Sequence, residues 1–207
     1  MKFVFAAPSS DDLIRILKAW RFWLLGAVVG ALIGAAVFFV APPPYRARAT
    51  VNVDFHLEQA WPQNTDREQF YYLERETRKL ELIAESDSVL DAVVSQVQGV
   101  TLQQLRTEKL QLSQPGNGGW HFYADDRDPQ KATALAAAWA QAFAATVQQD
   151  VIAAAASGLE PYITVNADQA QNLPIQRRTS LSIYLFAGAL IFLALGAFGI
   201  LFLDKKS

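Results

Sequence analysis

Of the side chains that could act as a catalytic base or an imidazole ligand, the chain offers only His56 and His121, in 207 residues that contain no cysteine. Neither histidine has a nucleophile to serve. No GxSxG run is present, and without cysteine the thiolate route is closed as well. Each histidine stands alone within or beside a run with strand periodicity, where an ordinary sheet position is the plainer reading. A GxxxxGK[ST] phosphate loop is also missing, which removes the simplest ATPase or kinase chemistry. The acidic cluster Asp125, Asp126 and Asp128 has the hard oxygen ligands that a divalent cation prefers. It falls, however, where a strand turns into a helix. There carboxylates cap orphan amides and complement the helix dipole, and that reading is preferred. The sequence therefore assigns no catalytic residue, metal ligand or cofactor, and a non-enzymatic protein is expected.

The elements that would carry these residues divide sharply by polarity. Hydrophobic residues make up 52% of the chain, yet 18 basic and 20 acidic residues remain, and the two classes are segregated. Trp20 to Ala41 has Arg21 as its one charge, and Leu181 to Leu203 has none. Each would form a helix of roughly 33 Å, enough to cross a hydrocarbon core of roughly 30 Å. The first is too long for a signal-peptide core of about 7 to 15 residues and reads as a retained anchor. Lys2, Arg15, Lys18, Arg21, Lys205 and Lys206 lie on the terminal side, against Arg46, Arg48, Arg177 and Arg178 on the loop side. That bias favours both termini in the cytoplasm and the main domain outside. The formal charge of −2 gives no reason to expect nucleic acid as a partner.

The expected organisation is a lead-in over 1–19, a membrane helix over 20–41, an extracytoplasmic domain over 42–180, a second membrane helix over 181–203 and a short tail over 204–207. In the lead-in, Ser10 caps a turn carrying Asp11 and Asp12, and Leu13, Leu17 and Trp20 form one apolar side for the lipid interface. The tail is too short for a cytoplasmic domain.

The outer domain reads as a small α/β unit of about four strands with one long helix. Ala49, Val51, Val53 and Phe55 alternate with polar residues, as in a half-buried strand. A helix over about Asp66 to Ala84 would bury Phe70, Leu73, Thr77, Leu80 and Ala84 against a sheet, with Glu74 and Arg78 paired on its outer side. A shorter one starting at Asp87 or Ser88 would bury Val89, Leu90, Val93 and Val97 and stop at Gly99. LRTEKLQLSQ and GWHFYADD read as the arms of a hairpin across PGNGG. The long helix starts at Asp128 and Pro129 and runs to about Ala156, with Leu135, Ala138, Trp139, Ala142, Phe143, Thr146, Val147 and Asp150 on one broad face. A last strand is expected near Pro161 to Val165.

Two further sets of residues could make contacts. Gly26, Gly30 and Gly34 repeat every four residues along the first membrane helix, and Gly188, Gly196 and Gly199, with Ala189 and Ala197, give the second a looser small-residue surface. Such stripes let backbones approach closely, either within one chain or between chains. Trp61, Trp120 and Tyr123 could offer stacking faces to sugars or to a partner, although packing in the core is the simpler role.

Taken in order, these local patterns resemble the polysaccharide co-polymerases, the Wzz-type chain-length determinant family. DLIRILKAWRFW is similar to the family's lead-in helix and PPPYRARATVNVDF to its exit and first strand. IAESDSVLDAVVSQV is similar to the helix after its S-x-x-V-L element, and DDRDPQKATALAAAWAQAF to its Asp-Pro start of a long helix. Gly196 in the second span matches a glycine-bearing span. The chain departs from the family in having only Pro174 before that span and in lacking the long helical hairpin of larger members. The resemblance implies a homo-oligomer in the bacterial inner membrane that governs the chain length, polymerisation or export of a surface polysaccharide. Its partners would be copies of itself, membrane lipid, and a polysaccharide polymerase or export component with its glycan. The alternative is a structural accessory subunit of a larger hetero-oligomeric membrane complex.

Overall fold

The computed structural model describes residues 14, 18, 20–57, 66–114, 119–153, 163–167 and 175–203. Most of the amphipathic lead-in, the loop holding Trp61, the PGNG turn and the tail lie outside them. The protein is a mixed α+β chain with a small antiparallel sheet and two long apolar helices. It forms two compact units: Met1–Pro43 with Thr179–Ser207, and Pro44–Arg178.

The first unit is a pair of helices, α1 (Trp20–Val40) and α6 (Leu181–Leu203), of 21 and 23 residues. Both are long and apolar enough to cross a membrane by length and composition. The second unit holds β1 (Tyr45–Asp54), α2 (Asp66–Ala84), α3 (Asp87–Gln96), α4 (Leu102–Gln104), β2 (Leu110–Ser113), β3 (Gly119–Asp126), α5 (Pro129–Ala153), β4 (Thr164–Ala167) and β5 (Gln176–Arg177). The strands lie in the order β2-β3-β1-β4, with the two-residue β5 paired to the start of β1. All of these pairings are antiparallel.

Alternation decides which side of the sheet is dry. Ala47, Ala49, Val51 and Val53 of β1 and Trp120, Phe122 and Ala124 of β3 are buried, while Arg46, Arg48, Thr50, His121 and Tyr123 point the other way. The buried side carries α5, whose Leu135, Trp139, Phe143 and Val147 close the core. Phe122 sits against Trp139 and Phe143 with ring centroids 4.7 and 5.1 Å apart, and Trp120 stacks on Phe143 at 5.6 Å. Trp139 also donates its indole N–H to the carbonyl of Ala84 at 2.8 Å, so the one polar atom it buries is satisfied.

The helix ends follow local chemistry. Asp128 Oδ1 accepts the amide of Gln130 at 2.9 Å at the start of α5. Ser86 Oγ accepts that of Val89 at 3.4 Å at the start of α3, and Gly99 beyond α3 takes φ 74°.

Four expectations are corrected. Helix α2 has the expected bounds and its Glu74–Arg78 pair, but it packs on α5 and α3, and Phe70 is 63% exposed. Its buried line is Tyr72, Glu76, Leu80 and Ala84, an i±4 ridge. That line takes Glu76 to full burial, where Arg75 and Lys79 donate to its Oε1 at 2.8 and 2.9 Å. The run LRTEK is not a strand; Leu105–Lys109 is a π-helical turn continuing α4, and only Leu110–Ser113 pairs with β3. Strand β4 begins at Thr164, later than the expected Pro161, and β5 adds a fifth strand that no periodicity in the sequence announces.

Among the described residues one non-glycine residue has a strained backbone. His56, after β1, holds φ 42°, a left-handed conformation that only glycine adopts freely. The Asp54 carboxylate accepts its amide at 2.9 Å and holds it there. His56→Val is expected to lower stability by about 1–2 kcal/mol, while His56→Gly stays within about 0.5 kcal/mol of the parent, as read from thermal unfolding in detergent.

Candidate functional site

In the helix pair, glycine sets the approach. Gly30 and Gly34 are the buried residues of α1, and both face α6. A Cβ added at Gly30 would fall 2.8 Å from the Gly188 carbonyl carbon and 2.9 Å from Phe192 Cβ. One added at Gly34 would meet the Tyr184 carbonyl carbon at 2.8 Å, and one at Gly188 would lie 3.2 Å from Gly34 Cα. No side chain fits such a seam, because the obstruction is backbone. Gly26 and Gly196 stand at its margin, with nearest atoms 4.0 and 3.6 Å from an added Cβ, and Gly199 meets nothing within 4 Å. The stripe is thus used within the chain by three of the six glycines. Away from it the helices present Phe22, Leu32, Phe39, Phe186 and Leu190, all exposed.

In the sheet unit, the polar face gathers what the sequence left scattered. Register pairs Arg46 with Asp125, Arg48 with Tyr123 and Thr50 with His121. Arg46 donates from Nε and Nη2 to the two oxygens of Asp125, both at 2.7 Å, and its guanidinium lies 5.3 Å from the Tyr123 ring centroid. Arg178 Nη1 stands 3.4 Å from the same carboxylate, and its amide donates to the Pro44 carbonyl at 2.9 Å. Beside it, Arg177 lies 4.6 Å over the Tyr45 ring. Asp125 thereby ties β1, β3 and the segment after β5 together where the chain enters and leaves the unit. The hydrogen bonds to Asp125 raise the Arg46 pKa against the burial that lowers it.

The acidic cluster is consumed by such work. Asp126 pairs with Lys109 and accepts the Asp128 amide at 3.0 Å, while Asp128 caps α5. Among the described residues no group of three His, Cys, Asp or Glu is placed to hold a metal. His121 Nδ1 lies 3.2 Å from Thr50 Oγ1, and His56 Nε2 lies 3.0 Å from Thr164 Oγ1, so each histidine meets a neutral hydroxyl of the sheet. Trp120 is 4% exposed and belongs to the core, whereas Tyr123 is half-buried on the opposite, polar face. The structure does not bring these two aromatics together, and Trp61 lies outside the described residues.

Burial, helped by the charge of Arg48, lowers the His121 pKa. Burial would raise that of Asp126, but the Asp128 amide, Lys109 and Lys131 outweigh it and hold the carboxyl below its ordinary value of 3.8. Both groups bind protons more weakly folded than unfolded, so acid favours the unfolded chain. Melting temperature should start to fall as pH drops through about 6.5, where unfolded His121 protonates, and fall again below 3.8 through the folded range of Asp126. His121→Gln should abolish the first decline only, a result that a pH series of melts in detergent reads directly.

Compared with protein-family models and with the curated proteins, the chain matches none.

Proposed function

We propose that this chain is a non-enzymatic protein of the bacterial inner membrane that assembles with copies of itself to regulate the chain length, polymerisation or export of a surface polysaccharide. In this reading α1 and α6 span the bilayer, both termini are cytoplasmic, and the sheet unit is periplasmic. The observation that carries it is the way the two apolar helices are buried. The most apolar window of α1 is 11% buried and that of α6 is 0% buried, which supports helices solvated by lipid over helices of a soluble core. The order of local patterns shared with the polysaccharide co-polymerases supplies the glycan half of the reading. Chemistry is left to a membrane polymerase or exporter. The sheet unit contributes repeated weak contacts that only an assembly makes strong.

Deleting the gene and profiling surface polysaccharide by gel tests this directly: the distribution of lengths should broaden or shift and return on complementation. An unchanged profile sinks the proposal. Because the chain has no cysteine, single cysteines at Ser9, Asp91 and Ser207 can be probed from outside without background. Asp91→Cys, on an exposed position of α3, is the one of the three that should react with an impermeant maleimide in cells whose outer membrane is permeabilised. Purification in mild detergent should give a particle made of this chain alone; a fixed heteromer would favour the accessory-subunit alternative.

A further inference from the structure

Arginine beside a membrane span on its outer side runs against the charge bias that orients such spans, yet Arg46, Arg48, Arg177 and Arg178 all lie there. Two of the four have no carboxylate of their own. Arg46 takes both oxygens of Asp125, so Arg178, 3.4 Å from one of them, shares a charge that is already neutralised. Arg48, two residues along β1 on the same face, has no ion pair or hydrogen bond among the described residues. Its Nε is enclosed without an acceptor, which leaves the charge to be met at the terminal nitrogens. Asp54, the other acid on this side of β1, stands at the strand's far end and accepts the His56 amide. Asp126 belongs to the opposite side of the sheet and is taken by Lys109. Near the start of β1, Arg46, Arg48 and Arg178 therefore face Asp125 alone.

The chain itself keeps these groups close to the bilayer. Pro44 follows the last residue of α1 by four positions, and Arg178 precedes the first of α6 by three. Fully extended, the two links reach only about 14 and 11 Å. The Arg178 amide donates to the Pro44 carbonyl at 2.9 Å and holds the links to one another. The headgroup layer is roughly 5 to 8 Å deep on each side of the hydrocarbon. A guanidinium tethered at that depth has lipid phosphate within reach, and phosphate presents the paired oxygens that its planar fork grips. A headgroup with its own amine would leave the surplus charge where it stands, whereas an anionic headgroup cancels it.

We propose that Arg48 and Arg178, beside the Arg46–Asp125 pair, bind the phosphate of an anionic phospholipid in the extracytoplasmic leaflet. Asp125 fixes Arg46 and draws Arg178 to the face that Arg48 already occupies. The site rests on α1 and α6 spanning the bilayer, as proposed above, and not on the glycan role.

The full chain in nonionic detergent is mixed with phosphatidylglycerol and phosphatidylcholine of identical acyl chains, and native mass spectrometry counts the lipid retained. Phosphatidylglycerol should be retained in preference. The preference should fall about fivefold in Arg48→Gln and about twentyfold in Arg48→Gln with Arg178→Gln, since each charge at a lipid surface contributes a factor of that order. Arg48→Lys with Arg178→Lys should keep most of it, because the charges remain. An unchanged preference in Arg48→Gln overturns the proposal, and a lysine variant that loses as much as the glutamine one does so too, by tracing the effect to packing. Arg48→Gln decides alone where the double variant misfolds, as read by circular dichroism. Polygalacturonate in place of lipid tests for a soluble polyanion: binding that Arg48→Gln removes assigns the arginines to a water-borne glycan and overturns the lipid site. A chain that stays in solution without detergent removes the spanning helices and this site together. Equal retention of both lipids by the parent removes the site alone.

Discussion

Gly188→Leu should separate α1 from α6. A cysteine pair reads this in a chain that has no other: Phe38→Cys and Tyr184→Cys replace two rings whose centroids are 5.4 Å apart, and mild oxidation should join them in the parent background. With Gly188→Leu the crosslink should disappear. The reason is geometric. Even the first carbon of the new side chain would lie inside the contact radius of the Gly30 carbonyl, at 3.0 Å from its carbon, and 3.2 Å from Gly34 Cα. Backbone on a helix cannot turn aside as a flexible side chain does, so relief requires the axes to part, at a cost of about 3 kcal/mol or more. Gly30→Leu should behave alike. Gly199→Leu, where an added Cβ meets nothing within 4 Å, should leave the crosslink intact. A crosslink that survives Gly188→Leu would show that the seam does not hold the pair together.

That seam was half visible in the sequence. A spacing of four placed Gly26, Gly30 and Gly34 in one line, but spacing cannot say how far along the line the partner reaches. The axes diverge enough that Gly26 stands at 4.0 Å while Gly34 is in backbone contact. The same limit appears throughout the sheet unit. Where one element decides its own form, the reading was close: β1 alternates as its residues do, α2 has the bounds its sequence implied, and Pro129 opens α5. Where a neighbour decides, it was not. Glu76 is buried because α5 lies over the i±4 ridge of α2 and because Arg75 and Lys79 compensate it, neither of which hydropathy reports. LRTEK runs directly into the alternating Leu110 and Leu112, yet the Thr101–Gln104 capping box starts a helix that carries it into a π-helical turn. The two residues of β5 are too few for any periodicity. They form a strand because β1 offers an edge to them.

The role of Asp125 was the least legible, since its partner Arg46 is 79 positions away. Asp125→Ala is expected to lower the stability of the sheet unit by about 2–3 kcal/mol, less than for a fully buried pair because Arg46 keeps 25% of its side chain in solvent and can rehydrate. Asp125→Asn, which keeps one acceptor, should cost about half as much. The effect should also be local. Arg178 loses its ion pair and the β5 segment its anchor, so amide exchange at Gln176 to Arg178 should quicken well before that of Phe122 or Ala124 in the core. Replacing both partners by apolar residues, Arg46→Met with Asp125→Leu, should recover most of the melting temperature, because the penalty lies in stranding a charge more than in losing an attraction. If it recovers stability while exchange at Gln176 stays fast, the ion pair works as a latch on the chain's exit from the sheet. If exchange also slows, packing alone suffices to hold β5 in place.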